Sequence, residues 1–218
     1  PTLLILRRRA PKPRQNTATL ADSRQALGLP LNAVHAMLFA AIICCCVAMA
    51  MPLVHLVAHV SDLGFTYSQG AQALALVLFT SLFSRLGLGA LSDRIGGFRT
   101  LLTGSGLQAV SLLLFASLGE LWAIYGIAVL FGLGFGGIVP SYAMIIREIF
   151  PERGAAWRIA VVMTGGTLGM ASGGYVGGEI FDGTGSYVTA FLLGFAFNLC
   201  NLAIIFTLYR RHSGGPRV

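Results

Sequence analysis

Residues 89–99 read Gly-Ala-Leu-Ser-Asp-Arg-Ile-Gly-Gly-Phe-Arg and join two apolar runs, Ala71–Leu91 and Thr100–Leu118. Gly96 and Gly97 supply the backbone freedom for a tight turn. Asp93 can cap or pair, and Arg94 and Arg99 suit the level of lipid headgroups. A turn this short makes the two runs antiparallel neighbours.

Working outward from the hairpin, four more apolar windows appear, Ala36–Ala58, Leu121–Ile146, Ile159–Phe181 and Tyr187–Tyr209. Each of the set is about 19 to 26 residues, long enough to cross a bilayer with some tilt. Composition agrees. Of 218 residues, 56% are hydrophobic and 11% charged, and the mean hydropathy is +0.77. A soluble domain covers itself with about 25% charged residues, so a soluble fold is excluded. The fold expected is an all-α, six-helix transmembrane bundle.

The charges sort by membrane side. With the side holding Pro1 taken as inside, the inner segments hold the amino-terminal arm, Arg94, Arg99, Arg147, Arg153, Arg158, Arg210, Arg211 and Arg217. Arg85 lies in the inner half of the second span. The outer turns hold Asp62, Glu120 and Asp182 instead. This is the positive-inside pattern, which predicts an integral protein of the cytoplasmic (inner or plasma) membrane with both termini cytoplasmic. The net charge of +7 therefore reflects topology and the lipid bilayer, and no nucleic acid is implied.

The chain opens on an apolar stub, Pro1–Leu6, that runs into Arg7, Arg8, Arg9, Lys12 and Arg14. A signal peptide has its basic residues first, so the stub reads as the end of a preceding helix and the chain as a piece of something longer. The organisation expected is a cytoplasmic arm over 1–35, a six-helix domain over 36–209 and a cytoplasmic tail over 210–218.

Inside the fifth span, Gly165, Gly169, Gly173 and Gly177 recur every fourth residue, a face on which another backbone can approach closely. Both a static packing face and a helix that rocks fit that pattern. Gly132-Leu-Gly134-Phe-Gly136-Gly137 matches a dinucleotide-binding pattern, but it lies inside an apolar span and not between a strand and a helix. Cys44, Cys45, Cys46 and Cys200 lack metal-ligand spacing and read as apolar thiols. No cofactor, metal or covalent chemistry is expected, so the protein is read as no enzyme.

Gly89, Asp93, Arg94, Gly96 and Arg99 together resemble the G-x-x-x-D-R-x-G-x-x-R signature of the major facilitator superfamily. The resemblance implies a twelve-helix fold of two six-helix halves enclosing one site, with alternating access by rocking. The stub, the basic arm, the short tail and the lack of a buried Arg in the fourth span point to the carboxy-terminal half. The missing amino-terminal half would then be its partner. Ser84-Arg85, Met51-Pro-Leu-Val-His55 and Phe181-Asp-Gly-Thr-Gly-Ser-Tyr187 are similar to the monocarboxylate transporter and oxalate/formate antiporter group. That resemblance implies that Arg85 holds a substrate carboxylate. The antiporters' lysine in the corresponding fifth span is absent here, which favours a monocarboxylate over a small dicarboxylate. Ser81 stands where the monocarboxylate group often has Asp, so a proton carrier, if the coupling ion is a proton, sits in the other half or at a histidine.

From the residues alone, Arg85 lies about 12 Å along the helix from Asp93, near the membrane midplane. A charge there costs at least about 2.5 kcal/mol, so Arg85 either snorkels inward or faces a wet cavity and offers its fork to a carboxylate. Ser81 is one turn earlier on the same side. Tyr142 and Ser141, just after Pro140, could line the same cavity. His55, His59 and Asp62 stand at i, i+4 and i+7; they could form the lip of an outer vestibule, titrate, or hold a metal, and His55 is counted with Arg85, Ser81 and Tyr142 as an expected substrate-binding residue. Asn198 and Asn201 fit interhelical hydrogen bonding. The function expected is secondary transport of a small organic anion. A truncated or half transporter needing a partner is the alternative, with a metal-dependent membrane hydrolase on the histidine cluster a weaker one.

Overall fold

The computed structural model describes residues 28–213. They form α1 Leu31–Asp62, α2 Tyr67–Ile95, α3 Gly97–Ser117, α4 Leu121–Ile149, α5 Glu152–Thr184 and α6 Val188–Ser213. All six are long and apolar enough to span a membrane, and among the described residues there is no strand. Each expected window falls on one helix, overrunning it by a single residue at Leu118 and at Tyr187. The helices run on past the windows at most ends. Hydropathy marks the hydrocarbon layer, whereas backbone hydrogen bonding continues into the headgroups. Residues 31–35 and 210–213, expected in the arm and the tail, are therefore helical. The rest of the arm with its Pro1–Leu6 stub, and 214–218, lie outside the described residues.

Local chemistry sets the ends. Thr66 and Gln69 form a reciprocal capping box at the start of α2, satisfying donors the first turn leaves open. Gly185 closes α5 in the left-handed region, with its N–H donating to Phe181 O at 2.7 Å. Gly96 takes φ +83° between α2 and α3.

The helices pair in two matched sets. α1 packs chiefly on α5 and α6, and α4 chiefly on α2 and α3. Exchanging α1 with α4, α2 with α5 and α3 with α6 maps one set onto the other. Because consecutive helices are antiparallel, a three-helix shift reverses direction, so the six helices form an inverted repeat. α3 and α6 pack together and close the back. α1 and α4 lie in the middle, and α2 and α5 flank a front that no described helix covers.

Close approach holds both sets. A methyl group on Gly169 would lie 2.6 Å from Ile43 O, one on Gly173 2.6 Å from Val47 O, and one on Gly165 2.7 Å from the Phe39 ring. Across α4, Gly132 faces Val77 and Thr80, and Gly136 faces Ser81 and Ser84 of α2. On the other side of α4, Gly134 abuts Gly104 of α3. The glycines that mimic a dinucleotide loop are thus the contact faces of a central helix.

At the back, a polar seam ties four helices. Asn198 Nδ2 donates to Ser105 O at 2.8 Å, and Asn201 Nδ2 to Ser105 Oγ at 3.0 Å. Tyr142 Oη donates to Asn201 Oδ1 at 2.6 Å, and Gln108 Nε2 to Cys45 O at 3.3 Å. Ser105, Gln108, Tyr142, Asn198 and Asn201 are all fully buried. Hydrogen bonds inside membranes contribute about 0.6 kcal/mol on average and up to about 1.7. Asn201 Nδ2 also donates to Asn198 Oδ1 at 3.3 Å, so Asn201→Leu breaks three hydrogen bonds, and we expect about 2 kcal/mol of destabilisation and a lower melting temperature in detergent. An unchanged melting temperature would show that the seam carries no stability.

Candidate functional site

α2 buries Ala73, Val77, Ser81 and Ser84 against α4. Ser84 Oγ donates to Leu133 O, anchoring that face. Arg85 is the next residue. Its backbone is packed, since a methyl on Gly136 would lie 3.0 Å from Arg85 N, yet its side chain is exposed. Leu78, Leu82 and Leu86 beside it are 52%, 58% and 71% exposed, and α2 has no acid nearer than Asp93. A cation flanked by apolar surface, with the one acid of its own helix eight residues away, can match a ligand with one anionic group and an apolar body.

The other expected site residues do not gather around it. Ser81 is buried and donates to Leu78 O at 2.7 Å. Tyr142 is turned toward α6, where its hydroxyl is held by Asn201. His55 is buried, with Nε2 at 2.9 Å from Gly174 O and its ring stacked on Tyr187 at 5.1 Å. It straps α1 to α5. His59 stands edge-on to Phe191 at 4.9 Å. Both imidazoles thus enter interhelical contacts and leave Asp62 behind at the exposed helix end. Among the described residues, no three His, Cys, Asp or Glu side chains converge as a metal set. Burial and the neighbouring Asp62 and Asp182 carboxylates raise the Tyr187 phenol above its ordinary range.

The hairpin of residues 89–99 acts as a platform at the basic end. A methyl on Gly97 would lie 2.9 Å from Ile145 Cγ1, so glycine lets α3 start directly against α4. Glu148 Oε1 accepts from Gly97 N at 3.2 Å and caps α3 from another helix. Arg99 Nε donates to Tyr209 Oη at 2.9 Å, tying α3 to α6. Asp93 and Arg94 stay exposed, and Gly89 has nothing within 4 Å of an added methyl. Glu148 escaped the sequence reading. An acid among inward-side arginines was its available signal.

At the same end, the Arg158 guanidinium lies 4.4 Å from the Phe150 ring and 4.6 Å from the Trp157 ring. These cation–π contacts tie the residue that caps α4 to α5, and His35 Nε2 reaches Arg158 O at 3.3 Å to add α1.

The major facilitator superfamily model matches residues 6–217. The chain belongs to that superfamily. It is 29% identical over 160 residues to monocarboxylate transporter 13 of Rattus norvegicus, covering 72% of this chain and 37% of the relative. The Bos taurus transporter of the same name is 26% identical over 160 residues, covering 72% and 38%. The 4-hydroxybenzoate transporter PcaK of Pseudomonas aeruginosa is 28% identical over 119 residues, covering 55% and 27%. The matches therefore span less than two fifths of each relative. For a major facilitator chain the inverted three-helix repeat is the ordinary architecture of one half, and Arg85 is an exposed residue of α2, one of the two helices that flank the uncovered front. The chain is an integral membrane protein of a transporter superfamily.

Proposed function

We propose that the chain is the carboxy-terminal six-helix half of a secondary carrier that moves a small monocarboxylate by alternating access. Both termini are cytoplasmic on this reading, since the basic residues gather at the end that holds the start of α1 and the end of α6. A second six-helix half covers the open front of α2 and α5. The observation that carries the reading is Arg85, an exposed cation inside a spanning helix with apolar flanks. Its planar fork suits a carboxylate. The relatives support the class, for a monocarboxylate and 4-hydroxybenzoate alike present one carboxylate.

The test is uptake by the full-length protein in proteoliposomes, using labelled pyruvate and labelled 4-hydroxybenzoate. We expect saturable uptake of at least one of them, unaffected by a tenfold excess of oxalate. Saturable oxalate uptake with neither monocarboxylate transported would overturn the reading.

A further inference from the structure

Charge is spread unevenly over the basic end of the bundle. At the ends of α2 and α4 and the start of α5 an arginine stands next to an acid, in Asp93-Arg94, Arg147-Glu148 and Glu152-Arg153. α1, α3 and α6 have no acid at that end, and none along their length except Asp62 at the far end of α1. Arg99 of α3 and Arg210 and Arg211 of α6 are therefore cations with no opposite charge on their own helices.

These three surround the end of one helix. Tyr209, Arg210 and Arg211 are consecutive on α6, so their side chains leave its axis about 100° apart. Tyr209 turns toward α3, where its hydroxyl accepts from Arg99 Nε at 2.9 Å. That bond fixes Arg99 beside α6 and engages Nε alone, which leaves the two Nη nitrogens of the fork for a ligand. Arg211 turns the other way, toward the start of α1, with Nη1 4.0 Å from a methyl placed on Gly28. Arg210 stands between them on the exposed side of α6, away from the polar seam of Asn198 and Asn201.

The direction of Arg210 gives the depth. Its guanidinium lies 5.9 Å from the centre of the Phe206 ring, one helical turn back along the span. Phe206, Ala203 and Leu199 continue that exposed side as an apolar strip. A charge folded back onto the end of an apolar strip sits where a bilayer places its phosphates, at the boundary of headgroup and acyl chain. Because α3 and α6 close the back of the bundle, the strip faces away from the front flanked by α2 and α5.

We propose that the end of α6 binds an anionic phospholipid in preference to a zwitterionic one. The lipid phosphate meets Arg210, Arg99 and Arg211 add positive charge from either side, and an acyl chain follows Phe206, Ala203 and Leu199. A phosphatidylcholine headgroup brings its own ammonium group, which the arginines repel, whereas phosphatidylglycerol has none. The acid-paired arginines of α2, α4 and α5 offer no comparable surplus of charge. The inference depends on neither the carried substrate nor the second half.

The experiment titrates dioleoylphosphatidylglycerol or dioleoylphosphatidylcholine into the full-length protein in neutral detergent and counts bound lipids by native mass spectrometry. An arginine near a membrane surface contributes about fivefold to the binding of anionic lipid. Wild type should therefore hold phosphatidylglycerol at least about 25-fold more tightly than phosphatidylcholine, and Arg210→Gln together with Arg211→Gln should remove about 25-fold of that preference. Arg210→Lys with Arg211→Lys keeps the charge and should stay within about fivefold of wild type. Arg94→Gln with Arg147→Gln removes as much charge from the same end and should leave the preference within about twofold. Equal affinity for the two lipids in wild type overturns the proposal without recourse to any variant. An equal loss in the Arg94/Arg147 pair shows diffuse attraction instead of a site and overturns it too. So does displacement of the bound phosphatidylglycerol by an equimolar amount of inorganic phosphate, which would mark a site for a free anion.

Discussion

Replacing Arg85 with alanine should abolish monocarboxylate transport by the full-length protein while leaving it folded and inserted. A charge-assisted hydrogen bond contributes about 1.5–3 kcal/mol, and truncating one partner of a bonded charge pair costs about 2–5 kcal/mol. Since each 1.4 kcal/mol is tenfold, transport efficiency should fall at least about 30-fold. Stability should not follow. The side chain is exposed, with the helix anchored by Ser84 and its apolar neighbours rather than by the guanidinium. Removing a charge from a span also makes insertion easier. Arg85→Lys keeps the charge and loses the planar fork, so it should recover only part of the activity. Uptake rates together with melting temperatures in detergent separate these outcomes. Wild-type uptake in Arg85→Ala would remove the carboxylate role.

Replacing Gly169 or Gly173 with leucine should prevent α1 and α5 from docking. At both positions a single added methyl already meets a backbone carbonyl at 2.6 Å. Backbone cannot rotate aside as a side chain can, so the two helices must separate along their length. Overpacking typically costs 1–3 kcal/mol and occasionally more. Here we expect about 3 kcal/mol or more, seen as loss of monodisperse protein and a large drop in melting temperature. Gly106→Ala and Gly126→Ala are the controls, because an added methyl there meets nothing within 4 Å. Equal yield and melting behaviour for Gly169→Leu and Gly126→Ala would contradict the close-contact account.

The number and place of the helices are legible in the sequence because hydropathy reports the environment each segment must satisfy, and a bilayer is a severe one. The hairpin of residues 89–99 is legible for a similar reason: Gly96 and Gly97 mark backbone geometry that other residues resist. What one sequence does not reveal is which way a polar side chain turns. Tyr142 and His55 lie at depths suited to a cavity, yet Asn201 and Gly174 lie closer and claim them. Those partners are 59 and 119 residues away along the chain, beyond the reach of local periodicity. Ser105 and Gln108 lie within an apolar span, and only the packing of α3 on α6 and on α1 shows them as part of a polar seam. Arg85 stands out in the sequence because a charge in mid-span has few structural reasons to exist.

The central claim is that Arg85 faces a water-filled substrate path and does not snorkel through lipid. Cysteine substitution tests it directly, with Arg85→Cys introduced into full-length protein whose Cys44, Cys45, Cys46 and Cys200 are replaced by alanine. A membrane-impermeant thiol reagent should label the new cysteine, because a path open to substrate admits a small charged reagent. Labelling of a cysteine placed instead at Leu86, one residue along, should be slower. No labelling at position 85 from either membrane side would contradict the account.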